Sequence, residues 1–359
     1  MPPHRAEVSV PSRVPITAKP ATRCPYCGSR ALTRKGTRKK KLEIVQLWRC
    51  TSCKRVFTPA PKELRGKTYP MRLILDGLTF YNLGYSLAQA TAKLKTKYGH
   101  RIPTSTLSAW LHEYQELTTY ARLRADGKKL YPPGRIVRSV KLYHRQVYEY
   151  AFHRAKLDLL RRDSEHRRFS GVADFLEAVP GTCPHRLFTA SERASQYAPA
   201  FADVARLTVN TRENFATRMA ALIVPTVGDN RLRHETLQRF MLANDSTTLA
   251  VEVPIWLDAA AIASLEVQYG VELFPKDGAA RTLTGHIDFL QVRNGAVHIL
   301  DYKPDARTNR PIAQLAIYAL ALTKLAALSL FDIKCAWFNE DEYCGFFPRL
   351  LFTKNSNER

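Results

Sequence analysis

Between Gly285 and Lys303 the residue pattern fits a β-hairpin and little else. Gly285-His286-Ile287-Asp288 comes first, Asn294-Gly295 marks a reversal, and Ala296-Val297-His298-Ile299-Leu300-Asp301-Tyr302-Lys303 follows. Asn-Gly is the preferred pair for a two-residue turn in which both φ angles are positive, so antiparallel strands are expected on either side. Each strand brings one carboxylate, Asp288 and Asp301. Side chains alternate along a strand, which puts Asp301 and Lys303 on one face. Two carboxylates and a lysine converging there can hold Mg²⁺ or Mn²⁺ and position a water, the requirements of phosphodiester cleavage.

A second constraint comes from cysteine. Cys24-Pro25-Tyr26-Cys27 and Cys50-Thr51-Ser52-Cys53 are two Cys-x2-Cys pairs. Each pair offers two thiolates to one tetrahedral ion, and together they predict a closed, structural Zn²⁺ site over residues 21–58. A unit this short has too small a core to fold without such a staple. Arg34, Lys35, Arg38, Lys39, Lys40 and Lys41 lie between the knuckles and are expected at a hairpin tip that contacts phosphate. Cys183, Cys335 and Cys344 lack the number and spacing for a four-cysteine cluster, so no iron–sulfur centre is expected.

Charge separates the chain into two parts. The net charge is +23, yet residues 1–135 carry 27 Lys/Arg against 7 Asp/Glu while the rest is nearly balanced. A basic first third is the footprint of a polyanion binder. No apolar run is long enough to span a bilayer, and no leader pattern opens the chain. Metal-spaced cysteines in an odd total predict a reducing, cytoplasmic setting, nucleoid-associated in a bacterium. No Gly-x4-Gly-Lys-Ser/Thr loop occurs, so any DNA unwinding would come from a partner such as a helicase.

The organisation expected from these signals is multidomain. A Pro-rich disordered tail covers 1–20, the zinc-binding unit 21–58, and a three-helix unit 66–122. A linker covers 123–135, a helical region 136–230, and an α/β core 231–350. In the three-helix unit, Leu73, Ile74, Leu78 and Tyr81 give a helical stripe. Ser86 caps the second helix and Gly99 closes it, and Thr104 or Ser105 caps the third. Beyond 249 the period shifts to strands, interrupted by a helix over 311–328.

Ser86-Leu87-Ala88-Gln89-Ala90 followed by Pro103-Thr104-Ser105-Thr106-Leu107-Ser108-Ala109-Trp110-Leu111 resembles the helix-turn-helix of insertion-sequence transposases, which a zinc ribbon of this kind also precedes. The resemblance makes the third helix the recognition helix, with Thr104, Ser105, Thr106 and Ser108 facing the major groove. It implies modest base discrimination, because no Arg or Asn occupies the bidentate positions.

Over about 230–320 the chain resembles the RecB-like branch of the PD-(D/E)XK nuclease superfamily. Arg233-His234-Glu235, Val251-Glu252-Val253, Gly285-x-x-Asp288, Asp301-x-Lys303 and Gln314-x3-Tyr318 occur in that family's order. The resemblance implies a restriction-endonuclease-like α/β core in which Asp288 and Asp301 bind the catalytic ion. Lys303 would activate or steady the attacking water. His234 would be an additional metal ligand, Glu252 would face either the metal or solvent, and Gln314 and Tyr318 would orient Lys303 or touch phosphate. DNA is the implied partner, together with helicases or other mobile-element or defence proteins.

Two other readings compete. A DDE transposase would need three carboxylates on an RNase H-like fold, which the Asp301-x-Lys303 lysine fits less well. A non-catalytic DNA-binding regulator would tolerate decay at the acidic and lysine positions, all of which are filled here.

Overall fold

The computed structural model describes residues 21–58, 67–196, 210–211, 214–227, 230–274 and 281–352. The tail expected over 1–20 lies outside them. The chain divides into two compact units. The first comprises Met1–Tyr81, Tyr85–Gln115 and Ala221–Leu237, and the second Asn82–Gly84, Glu116–Ala220 and Gln238–Arg359.

The first unit opens with a three-stranded antiparallel sheet of β1 (Leu32–Lys39), β2 (Ile44–Cys50) and β3 (Val56–Phe57). Cys24 Sγ lies 3.6 Å from Cys53 Sγ, and Cys27 Sγ lies 3.6 Å from Cys50 Sγ. All four sulfurs fall within 4.8 Å of one another. A tetrahedral ion with Zn–S bonds of ~2.3 Å separates its sulfurs by ~3.7 Å, so the four thiols fit one ion. The Cys53 N–H, opposed by burial and then helped by the Ser52 N–H, holds Cys50 down at about 6. Among the described residues the core here is Cys24, Cys50 and Phe57, with Trp48 packed against it.

The basic run differs from the hairpin tip expected of it. Arg34, Lys35, Arg38 and Lys39 stand within β1, and only Lys40 and Lys41 lie in the turn. Pairing with the more apolar β2 extends the strand through the charged residues, whose heads stay in water. The ladder shifts register between Arg34 and Thr37, where Gly36 takes φ +90°. Arg34 lies over the Trp48 ring, and Lys41 lies over the Tyr69 ring at 4.7 Å.

Three helices follow: α1 (Met71–Asn82), α2 (Leu87–Tyr98) and α3 (Thr104–Glu113). Ser86 and Gln89 form a reciprocal capping box on α2, and Gly99 ends it in the left-handed region, as the residues predict. The third helix differs at its start. Pro103 occupies the cap without a side-chain hydrogen bond, and Thr104 is already helical. Proline at the cap fixes φ and leaves the threonine and serine hydroxyls pointing outward. Thr104, Ser105 and Ser108 are exposed and Thr106 is half-buried, while Leu107 and Trp110 are buried. Gly77 of α1 makes the bundle close. A Cβ there would meet Leu107 Cδ1 at 3.0 Å and Leu94 Cδ1 at 3.3 Å.

The second unit is built on a nine-stranded sheet. Its elements are α4 (Arg124–Leu130), β4 (Val137–His144), β5 (Gln146–His153), α5 (Arg154–Arg162), α6 (Ser170–Thr182), α7 (His185–Ala190), β6 (Glu192–Arg193) and β7 (Asn210–Thr211). Then come α8 (Phe215–Ile223), α9 (Asn230–Asn244), β8 (Thr248–Leu257), α10 (Ala259–Tyr269), β9 (Leu283–Arg293) and β10 (Ala296–Tyr302). The last elements are α11 (Ile312–Leu325), β11 (Ile333–Phe338) and β12 (Tyr343–Phe346). The residues of α8 and α9 are shared between the two units. The strand order is β4-β5-β8-β9-β10-β11-β12-β7, with β6 added alongside β9. Strands β8, β9 and β10 form the antiparallel centre, and β11 returns parallel to β10 after α11.

α11 is apolar around most of its circumference, from Leu315 through Leu322, and is accordingly buried against the sheet. The segment after 136 is not mainly helical at its start. Residues 137–153 form the β4–β5 hairpin, and the stretch read as a linker carries α4. α6 runs through Pro180 to Thr182 and ends at Cys183. Among the described residues no helix is long and apolar enough to cross a membrane.

Candidate active site

Strand register assembles the acidic residues. In the β9–β10 ladder the last pair is Leu300 with Phe289, so Asp301 comes opposite Asp288 one step further on. Asp288 Oδ2 accepts the backbone N–H of Tyr302 at 2.9 Å, taking a donor the ladder no longer uses. In the β8–β9 ladder Val251 pairs with Phe289 and Val253 with Ile287, which sets Glu252 opposite Asp288 from the other side. Three carboxylates therefore form a row across three neighbouring strands. Directly opposed residues of antiparallel strands share a face.

Glu252 holds its place with φ +51°, a region that costs a non-glycine residue on the order of 1–3 kcal/mol unless its surroundings fix it. Gln238 supplies that fixing. Its Nε2 donates to Glu252 Oε1 at 2.8 Å and to the Asp288 carbonyl at 3.3 Å. The Glu252 side chain thus turns towards the row. Gln238 was not among the residues singled out in the sequence, although it lies four positions after His234 on α9. Residues four apart share a helix face, so His234 stands one turn before Gln238 on the same side.

Lys303 follows directly on β10, and its own N–H bonds to the Phe338 carbonyl. Its Nζ lies 2.9 Å from Asp301 Oδ2. Burial pulls the lysine down, but Asp301 and Asp288 outweigh that and raise it above its usual range. Asp301 is only 3% exposed. Burial, then the charge of Asp288, push its carboxyl well above the usual carboxylate range, with Lys303 acting against them. A buried carboxylate oxygen beside a second carboxylate is a hard-oxygen donor set suited to a divalent cation.

Gln314 and Tyr318 lie on α11, and Gln314 Nε2 donates to the Tyr318 hydroxyl at 3.0 Å. Burial, followed by the charges of Asp301 and Asp288, raises the tyrosine. A cavity of about 270 Å³ opens beside Lys303, with Ser195, Asn309, Arg310 and Gln314 among its walls. Arg310 is a further residue that the motifs did not mark.

The model of the PD-(D/E)XK nuclease superfamily matches residues 150–343, more than half of the chain. The chain belongs to the PD-(D/E)XK nuclease superfamily. No curated protein and no solved structure matches it. Asp288, Asp301 and Lys303 lie within the matched residues, and Ile287 precedes Asp288 on β9. A proline there would remove an N–H from a central strand, whereas Ile287 keeps its pairing with Val253. In this nuclease the β4–β5 hairpin, β8, β9 and β10 are successive neighbours in one sheet.

Gly285, three residues before Asp288, has a steric role. An added Cβ would strike the Tyr318 ring, 2.7 Å from its Oη and 2.8 Å from its Cζ. Gly285→Ala is expected to destabilise the fold by ~1–3 kcal/mol, the usual scale of overpacking. Denaturant unfolding checks this, with Tyr318→Ala as a partner substitution. If the clash is the cause, the double variant loses less than the sum of the two singles. Additive losses would remove Tyr318 from the explanation.

Proposed function

We propose that this nuclease is a divalent-metal-dependent deoxyribonuclease of the RecB-like branch, delivered to DNA by an N-terminal zinc ribbon and helix-turn-helix. One observation carries the reading. Asp288 and Asp301 face each other across β9 and β10, and Lys303 Nζ lies against the buried carboxylate of Asp301.

Asp288 and Asp301 would hold Mg²⁺ or Mn²⁺. Glu252 is a third oxygen donor in the same row, and His234 would be the further ligand that the RecB-like pattern implies. Bound there, a divalent ion supplies Lewis-acid activation of water and neutralises charge on phosphate. The protein's own residues do the rest. Lys303 donates hydrogen bonds to the attacking water and to a phosphoryl oxygen, stabilising the anion that develops in the transition state. Gln314 and Tyr318 limit the directions open to Lys303. Arg310, on the wall of the adjoining cavity, suits a flanking phosphate of the strand.

Targeting rests on the first unit. Four thiols at mutual distances fitting one zinc ion support the ribbon reading. The exposed Thr104, Ser105 and Ser108, with Thr106 beside them, support α3 as the helix that enters the major groove. Arg34, Lys35, Arg38 and Lys39 along β1 would track the phosphate backbone. Phosphate contacts make binding fall steeply with salt. The Cys50→Ala, Cys53→Ala double variant is expected to lose the small sheet and to bind DNA at least ~10-fold more weakly at moderate salt. Fluorescence anisotropy on a duplex probe checks this, and unchanged affinity would mean that the ribbon is not the anchor.

The catalytic reading is tested with linear and closed-circular plasmid, in Mg²⁺ or Mn²⁺ and in EDTA. Metal-dependent cleavage supports it, and cutting of the closed circle marks an endonuclease. Intact single- and double-stranded DNA under every condition, with binding retained, would favour a DNA-binding regulator instead.

A further inference from the structure

A second group of metal-type donors lies away from the carboxylate row and is used by nothing described so far. His144 ends β4 and is 2% exposed. Its Nε2 lies 2.9 Å from His185 Nδ1 and 3.8 Å from Cys183 Sγ. The donor atoms of these three residues all fall within 4.8 Å of one another. Cys183 caps the end of α6 and His185 begins α7, so Cys183-Pro184-His185 offers two donors from a single corner.

We propose that His144, Cys183 and His185 form a further metal site, and that it takes a zinc-class ion rather than Mg²⁺. A tetrahedral ion with Zn–N of ~2.0–2.1 Å and Zn–S of ~2.3 Å sets neighbouring donors ~3.3–3.6 Å apart. The two separations found here bracket that range, so small side-chain adjustments seat the ion. Two imidazoles and a thiolate are a borderline-soft donor set, which selects zinc over hard cations. With three protein ligands, the fourth position goes to a water.

The surroundings are built to orient such a ligand. His144 Nδ1 is 2.9 Å from His286 Nε2, so with Nε2 given to the metal, Nδ1–H would donate to His286. Metal-bound histidines ordinarily have their second nitrogen engaged in this way. The His144 ring stacks on Phe188 at 3.8 Å, and the His286 ring stacks on Tyr148 at 3.6 Å. Arg145 beside the site donates to the Thr189 and Ser191 carbonyls, tying the hairpin tip to the end of α7. Burial, with His185 adding to it, holds His144 down at about 4, so it is a neutral ligand at physiological pH. Burial pushes the Cys183 thiol up to about 12. Binding would therefore displace the Cys183 proton to solvent, and the sulfur's electron pair would go to the ion.

The ion would staple the β4–β5 hairpin to the α6–α7 corner. Through His286 it would also brace β9 two residues before Asp288. That makes it a support for the carboxylate row, not a part of it.

The test is zinc stoichiometry on the full-length protein purified without chelator, combined with zinc K-edge absorption. The wild type is expected to hold about two zinc per chain, with a mean of about two and a half sulfurs per zinc. His185→Ala, at an exposed position, is expected to hold about one zinc, with the mean rising to about four sulfurs. One zinc with one sulfur and two nitrogens in the wild type would support this site and overturn the ribbon's. One zinc with four sulfurs in the wild type, unchanged by His185→Ala, would overturn the proposal. The three histidines would then be a hydrogen-bonded imidazole chain. Neither result depends on whether the carboxylate row cleaves DNA.

Discussion

Lys303→Ala is expected to lower the rate of DNA cleavage by ~10²–10⁴-fold while leaving DNA affinity within about twofold. The size follows from what the side chain supplies. Lys303 Nζ sits 2.9 Å from Asp301 Oδ2, at the end of a central strand whose next backbone bond is to Phe338. The ammonium is therefore held in one place before substrate arrives. Charge fixed where an anion develops is worth far more than charge that must reorganise. Lys303→Arg is expected to recover little, because a planar fork does not replace a compact point charge. Affinity is spared because the proposed binding surface lies in the first unit. Initial cleavage rates at saturating metal, alongside anisotropy measurements, check both halves. Cleavage within about threefold of wild type would remove Lys303 from the chemistry, whatever the binding data show.

The hairpin that carries this lysine was legible in the sequence because two signals agree there. Asn294-Gly295 demands a tight turn, and Ala296–Leu300 is an apolar strand that ends abruptly in charge. The β4–β5 hairpin was not legible. Its turn residue is Arg145, at φ +60° and without glycine or asparagine to mark it, and its strands, of which β4 is the sheet's edge, mix polar with apolar residues. An edge strand has less to bury, so its alternation is weak. α10 escaped notice although Asp258 caps it and Gly270 closes it.

The candidate site shows the same division. Asp288 and Asp301 lie on regular strands and Lys303 directly follows one, so period and register bring them together. Glu252 left two readings open because the decision rests on a positive φ and on Gln238, neither of which alternation can foresee. The cysteine quartet was readable from spacing alone. The His144, Cys183 and His185 group was not, because His144 reaches the other two only through the fold.

Asp301→Asn is expected to leave the protein inactive yet more stable than wild type when metal is absent. Asp301 is buried and faces Asp288. Its carboxyl is raised by burial and then by the Asp288 charge, so ionising it costs the metal-free fold stability. The sign fixes the pH dependence. A folded-state value above the unfolded one means that stability is full below the ordinary carboxylate range and is lost as pH rises towards the folded value. The metal-free wild type should therefore weaken as pH climbs above ~4, whereas the asparagine variant should lack this component. Relief of a strained functional site commonly returns ~0.5–2 kcal/mol, which is the gain expected at neutral pH. Metal reverses the order. Mg²⁺ or Mn²⁺ should raise the melting temperature of the wild type, because a ligand that binds only the folded state stabilises it, and should barely move the variant. Thermal melts across pH, with and without divalent metal, separate these effects. A variant less stable than wild type without metal, and equally responsive to metal, would show that Asp301 serves packing and is not a ligand.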